Sequence, residues 1–146
     1  MEVESFFGGN ALVPVDAAGR VGLPSFVRDT LVRRSESRRL VFGAHERDSC
    51  LSAYDPAYRA FLFDRNGSRL VFGFAEEAEF DARGRVVLPP IMRWKARIAT
   101  LALFVGTGGA FEIWNPELAL EADDPELRQM AEYRLNVSRR EREGAQ

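Results

Sequence analysis

Cysteine and histidine are each used once, at Cys50 and His45. One cysteine argues against both a disulfide framework and a cysteine metal site within one chain, and such a thiol reads as a small buried hydrophobe. The lone histidine sits in the polar run Gly43-Ala-His-Glu-Arg-Asp48 and reads as a solvated turn residue, because no second histidine completes a metal or base constellation. Long apolar runs are also missing, none approaching the roughly 20 residues of a membrane span. The acidic start Met1-Glu-Val-Glu-Ser-Phe-Phe7 lacks the basic flank of a signal peptide. These absences predict a cytoplasmic chain with no membrane contact, no metal and no cofactor.

Catalytic motifs are equally scarce. Gly106-Thr-Gly-Gly109 has no Lys-Ser/Thr of a phosphate loop and no helix after it, so a hairpin turn explains it better. No Ser-His or Cys-His arrangement is in evidence. Asp16 and Asp81 form a conceivable carboxylate pair, but each precedes an arginine by four residues, which favours a charge-paired structural role. The chain therefore reads as a non-enzyme.

What the sequence does contain is a repeat. Asp16-Ala-Ala-Gly-Arg-Val-Gly-Leu-Pro-Ser-Phe-Val-Arg28 returns as Asp81-Ala-Arg-Gly-Arg-Val-Val-Leu-Pro-Pro-Ile-Met-Arg93, with eight of thirteen positions identical at an offset of 65. In each copy an apolar run meets Asp, two permissive residues and Gly, the residues of a turn in which Asp caps and Gly takes a positive φ. A short apolar segment then reaches a proline suited to the first turn of a helix. Each copy thus predicts strand, tight turn, strand, helix, with Asp16, Gly19, Asp81 and Gly84 as structural turn residues. At 146 residues the chain is one domain, or two small units that share a core, since about sixty residues alone are marginal.

Helical spacing of Phe26, Val27, Thr30 and Leu31 predicts a helix ending near Ser35. Leu40–Phe42 and Cys50–Tyr54 read as a β-hairpin about a turn at 44–49, and Asp55-Pro56 as the start of a helix over 57–63. The turn-forming cluster Asp64-Arg-Asn-Gly-Ser68 marks the repeat boundary, and 69–73 suits helix or strand. In the second copy Ile91, Trp94 and Ile98 lie at helical spacing, followed by strands at 101–105 and 110–114. Asn115-Pro116 answers Asp55-Pro56 at an offset of 60, so the second copy is about five residues shorter inside. A weak apolar stripe, Leu127, Met130, Ala131, Tyr133 and Leu135, precedes a charged end from Arg139 that is expected to fray.

The net charge of −2 conceals a segregation. Residues 17–45 carry a net +4 and residues 82–100 a net +5, both on the repeated element, while acids gather at Glu76–Glu79 and Glu117–Glu126. Such local fields bind phosphate whatever the total, although charge runs also serve as solvated faces. Arg20 and Arg85 leave identical turns at identical phases, and arginine's planar fork takes phosphate or guanine edges bidentately. The alternative is that Arg20 pairs with Asp81, and Arg85 with Asp16, across the repeats.

The runs Gly9-Asn-Ala-Leu12, Val15-Asp-Ala-Ala-Gly-Arg-Val-Gly-Leu-Pro24, Asp81-Ala-Arg-Gly-Arg-Val-Val-Leu-Pro89 and Phe111-Glu-Ile-Trp-Asn-Pro116 resemble the MraZ family of bacterial transcriptional regulators, built from two tandem domains similar to AbrB and SpoVT. The resemblance implies an α+β, mainly β, fold: two pseudo-symmetric AbrB-like repeats interlocked in swapped-hairpin β-barrel-like units with short flanking helices. It divides the chain into repeats at 8–63 and 74–120 and a helical tail at 121–146. It also implies a nucleoid-associated homo-oligomer, in the form of a ring, that binds double-stranded DNA at direct repeats upstream of its own division and cell-wall gene cluster and represses it. Carried over by position, Arg20 and Arg85 are the main DNA contacts, Arg83 stands where many members have Lys, and Arg28 and Arg93 support phosphate or the fold. Two features depart from the family: Ala18 replaces the usual Lys, and the segment between Tyr54 and Glu76 is short. Two other roles stay open, an antitoxin-like protein-interaction module and an assembly that has lost DNA affinity.

Overall fold

A computed structural model describes residues 6–35, 37–45, 47–58 and 72–144. The elements in chain order are β1 (Asn10–Pro14), β2 (Arg20–Gly22), α1 (Ser25–Ser35), β3 (Arg39–Ala44), β4 (Leu51–Tyr54), β5 (Glu76–Glu79), β6 (Arg85–Val87), α2 (Pro90–Ala96), β7 (Leu101–Gly106), β8 (Phe111–Trp114), α3 (Pro116–Ala119) and α4 (Pro125–Gly144). The class is α+β with strands predominating. No helix among the described residues is long and apolar enough to cross a membrane. The boundary expected at Asp64–Ser68, most of the helix expected over 57–63, and most of segment 69–73 lie outside the described residues.

Strand exchange organises the fold. The six-stranded antiparallel sheet runs β1-β7-β8-β4-β3-β5, and β2 pairs with β6 in a separate two-stranded ribbon. Each turn is tight, yet β1 and β2 do not continue as a hairpin. The strand before each turn pairs instead with the other copy, β1 with β7 and β5 with β3. Equating β1 with β5, β3 with β7 and β4 with β8 turns the strand order into its own reverse, which is the signature of a pseudo-two-fold axis. The axis runs between Val21 and Val86 in the ribbon and between Ser52 and Glu112 in the sheet. With β1 and β5 as its edges, the sheet is not closed into a barrel.

Registers also locate the length difference between the copies. Pro14 faces Leu101 as Glu79 faces Arg39, and Val41 faces Tyr54 as Leu103 faces Trp114. Equivalent residues are therefore 65 apart through turn and first helix, 62 apart in β3 and β7, and 60 apart in β4 and β8. Three of the missing residues come between helix and strand, and two from the hairpin turn.

Strict alternation sends side chains to the two faces of the sheet. Leu40, Phe42, Leu51, Ala53, Ala102, Phe104, Phe111 and Ile113 face the ribbon and helices α1 and α2, meeting Val21, Leu23, Val27 and Leu31 of one copy and Val86, Leu88, Met92 and Ala96 of the other. That single core is what two sixty-residue units could not build separately. On the opposite face Leu103, Val105 and Trp114 meet Ala119, Leu127 and Ala131 of α3 and α4. Arg134 of α4 binds Asn10 at the edge strand, its Nε 2.7 Å from Oδ1.

Two apolar stripes differ from expectation. In α2 the buried residues are Met92 and Ala96, whereas Ile91 and Trp94 are 44% and 74% exposed. The repeat offset explains this, because Met92 and Ala96 are the counterparts of Val27 and Leu31, and symmetry about the axis dictates which helix face meets the core. In α4 Leu127 and Ala131 are buried, but Tyr133 is 63% exposed. The helix also continues through the charged end to Gly144, where fraying was expected.

Candidate nucleic-acid interface

The two repeated turns fold identically. Asp16 Oδ1 accepts the backbone N–H groups of Ala18 and Arg20 at 3.0 and 2.8 Å, and Gly19 N donates to Asp16 O at 2.9 Å. Asp81 Oδ1 accepts those of Arg83 and Arg85, both at 2.9 Å, and Gly84 N donates to Asp81 O at 2.9 Å. Asp is required because its short side chain closes the loop on its own backbone, and Gly because φ is +83° at Gly19 and +76° at Gly84.

Charge pairing stays within each turn. Arg20 Nε lies 3.1 Å from Asp16 Oδ2, and Arg85 Nε 3.2 Å from Asp81 Oδ2. The cross-repeat pairing of Arg20 with Asp81 and Arg85 with Asp16 is absent among the described residues, because the ribbon puts each arginine at the end remote from the other turn's carboxylate. Backbone N–H from Arg20, reinforced by its guanidinium, holds the Asp16 carboxyl below the usual carboxylate range, and backbone N–H from Arg85 does so for Asp81. Two ionised carboxylates thus aim two guanidinium groups. Each pair uses Nε, so the terminal nitrogens have no partner among the described residues.

The ribbon sets the spacing. Val21 and Val86 face inward, 1% and 3% exposed, so Arg20 and Arg85 share the outer face. Arg20 stands opposite Val87 and Arg85 opposite Gly22. The two arginines are therefore diagonal neighbours, roughly 7–8 Å apart at the backbone. Their side chains are 42% and 41% exposed. The ribbon is closed at both ends by reciprocal bonds, Leu23 N to Gly84 O at 2.8 Å and Leu88 N to Gly19 O at 2.9 Å.

The structure brings the other predicted residues to the same region in different roles. Arg83 is exposed at the tip of its turn, and Ala18 occupies the equivalent tip. Arg28 and Arg93 instead cross the axis: a Cβ on Gly19 would lie 2.5 Å from Arg93 Cζ, and one on Gly84 would lie 2.9 Å from Arg28 Cδ. Each therefore packs over the other copy's turn, and Arg93 Nε also donates to Leu88 O at 3.2 Å. Exposed apolar side chains adjoin the ribbon's second half, Val87 at 48% and Ile91 at 44%.

Counting charges along the sequence overstates the field. The Arg34 side chain is only 7% exposed, its Nη2 2.9 Å from Asp55 Oδ1 and its Nη1 2.8 Å from Gly109 O, and it stacks 5.0 Å above the Phe7 ring. His45 also differs from expectation. It sits in its turn but is 18% exposed at the side chain, with Nε2 3.1 Å from Glu112 Oε2, and Glu112 Oε1 accepts from Trp114 Nε1 at 3.0 Å. Glu112 raises the His45 pKa, and the bonds from His45 and Trp114 outweigh burial to lower that of Glu112. Cys50 is buried as expected, and burial pushes its thiol far up. Neither Arg34–Asp55 nor His45–Glu112 was legible in the chain, since each joins different elements with no local spacing signal.

A family model for the MraZ protein, described as antitoxin-like, matches residues 71–118. Curated relatives named transcriptional regulator MraZ match more of the chain. That of Saccharophagus degradans is 34% identical over 123 residues, covering 76% of this chain and 83% of the relative. That of Methylobacillus flagellatus is 35% identical over 122 residues, 76% and 82% respectively. That of Thioalkalivibrio sulfidiphilus is 33% identical over 130 residues, 81% and 85% respectively.

Proposed function

Since the chain belongs to the MraZ family, we propose that it is a transcriptional regulator that binds double-stranded DNA through the β2–β6 ribbon and represses its own division and cell-wall gene cluster. The observation that carries this reading is the ribbon itself, with two arginines related by a pseudo-two-fold axis and aimed outward by ionised carboxylates. A two-stranded ribbon fits the major groove, and an Arg fork whose Nε is held still offers terminal nitrogens to a phosphate or a guanine edge. Arg83 adds a phosphate ligand at one tip, whereas Ala18 leaves the other tip without one. Arg28 and Arg93 act on the fold, bracing the turns from across the axis.

One ribbon gives few contacts, and specific binding needs several of them at once. Copies of the chain assembled as a ring present equal ribbons to successive direct repeats, multiplying a modest single-site affinity. The repeats span 8–63 and 74–120, with the tail packed on the outer face of the sheet. The protein performs no catalysis in this role and acts at the nucleoid.

Fluorescence anisotropy against the chain's own upstream DNA and a scrambled duplex, over a salt series, tests the reading. Binding should favour the native fragment and fall steeply with salt as counterions are released. Arg20→Ala and Arg85→Ala should weaken it equally, each lowering the salt slope by about 1 for a lost phosphate contact, with circular dichroism unchanged. Equal weak binding to both duplexes, or an Arg20→Ala protein that binds normally, refutes it; a stoichiometric protein partner would then favour the antitoxin-like role.

A further inference from the structure

The only histidine and the only cysteine close the same turn. His45 N donates to Cys50 O at 3.2 Å, ending the β3–β4 connection, just as Thr107 N donates to Ala110 O at 3.0 Å in the β7–β8 connection. The first of these turns is the longer by two residues, and where its twin has Thr107 and Ala110 it carries a nitrogen and a sulfur ligand. Both face Glu112, which sits on the pseudo-axis opposite Ser52 and projects from the outer face of β8. One donor atom from each of His45, Cys50 and Glu112 lies within 4.8 Å of the other two.

We propose that His45, Cys50 and Glu112 form a binding site for a zinc-class divalent ion, with a fourth coordination position open to the adjoining cavity. His45 Nε2 and Glu112 Oε2, 3.1 Å apart, already stand near the separation of about 3.3 Å that two ligands at about 2.0–2.1 Å from a tetrahedral ion have. The metal takes the place of the proton they now share. Bringing the sulfur to bonding distance requires closure of the cluster by about 1 Å. Cys50 and His45 flank a turn whose tip residues Arg47, Asp48 and Ser49 are exposed, so the closure falls on a segment with solvent on one side.

The donor set selects the ion. Imidazole, thiolate and a single carboxylate suit zinc-class metals, whereas calcium and magnesium ask for oxygen throughout. The adjoining cavity of about 680 Å³ is lined by Asp48, Asp123, Asp124 and Glu126 against Arg47 alone, a field that attracts cations. The ion's own charge offsets the cost of a buried thiolate. Ligation at Nε2 moves the ring proton to Nδ1, which now accepts the N–H groups of Arg47 and Asp48 at 3.1 Å each. Asp48 Oδ2, 3.7 Å from Nδ1, becomes the acceptor of that proton, so binding rearranges the tip of the turn.

Titrating the full chain with Zn2+ in competition with a chromophoric chelator, and separately with Co2+, tests this. One equivalent should bind, with a sulfur-to-cobalt charge-transfer band and shifted amide resonances for Arg47 and Asp48. Cys50→Ala should abolish the band, and both it and Glu112→Gln should weaken Zn2+ by more than the roughly 10–100-fold that loss of an outer-shell partner costs, with circular dichroism confirming the fold. A missing band, binding unchanged in Cys50→Ala, or binding removed only by Asp123→Asn with Asp124→Asn overturns the site. None of these readouts depends on nucleic acid, so failure here leaves the DNA-binding proposal standing.

Discussion

The two copies agree at the axis and diverge away from it. Asp, Gly, Arg, Val, Leu and Pro recur from Asp16 to Pro24 and from Asp81 to Pro89; the Asp and Arg side chains close their own turns, while Val21, Val86, Leu23 and Leu88 meet the other copy across the axis. A change to the shared ribbon or core there is felt by both, whereas a change to one turn's carboxylate stays local. At the periphery each copy meets a different neighbour. The eleven-residue α1 carries Arg34, which reaches Asp55, Gly109 and Phe7, whereas the seven-residue α2 stops at Arg97 in a left-handed conformation, its carbonyl accepting from Asn115 Nδ2 at 2.8 Å. Asp55 and Asn115 are counterparts doing one job by different chemistry. Each ties the end of its strand pair to the end of the helix before it, by a buried ion pair in one copy and by a neutral cap in the other.

That contrast is sharpest under mutation. Arg34→Ala leaves Asp55, 2% exposed at the side chain, as an uncompensated buried charge, and should cost about 3–5 kcal/mol in chemical denaturation. Asn115→Ala removes the cap to Glu117 N and should cost about 1 kcal/mol. Equal costs would mean that the ion pair is not desolvated as the structure has it. At the axis the copies should respond alike: Leu88→Ala and Leu23→Ala, at positions 0% and 6% exposed, should each cost about 2–5 kcal/mol, Leu88 the more. A negligible cost at Leu23 would break the equivalence of the two halves.

The smallest effect is the acid limb. Asp16 and Asp81 have pKa values lowered from 3.8, so their contribution to stability is present above that value and is lost as pH falls through the lowered ones. Carboxyl NMR titration should find both midpoints below 3.8, and Asp16→Asn should leave the Asp81 midpoint in place, since each turn is closed by its own arginine. A shift of Asp81 in that variant would revive pairing across the axis.

Much of this was legible in the chain. The repeat named the turns, the glycines and the two outward arginines, because those features depend on neighbours within five residues. Strand positions at 40–42, 101–105 and 110–114 followed from short apolar runs bounded by turn residues. The buried face of α2 was misread from the spacing of Ile91 and Trp94 with Ile98, which is buried but lies beyond the helix, since hydrophobicity alone does not say which stripe meets a core and which is left outside. The equivalence of Met92 with Val27 held the right answer.

By itself the sequence determined the local units and their duplication: an Asp that caps, a Gly that turns, an Arg that follows, twice. Tertiary structure alone decided the partners. Whether β1 pairs with its own hairpin or with β7, whether Arg20 meets Asp16 or Asp81, and which distant carboxylate meets His45 depend on how two copies close on one core. The energies that choose among those pairings come from burial summed over both copies, and no window of the chain contains that sum.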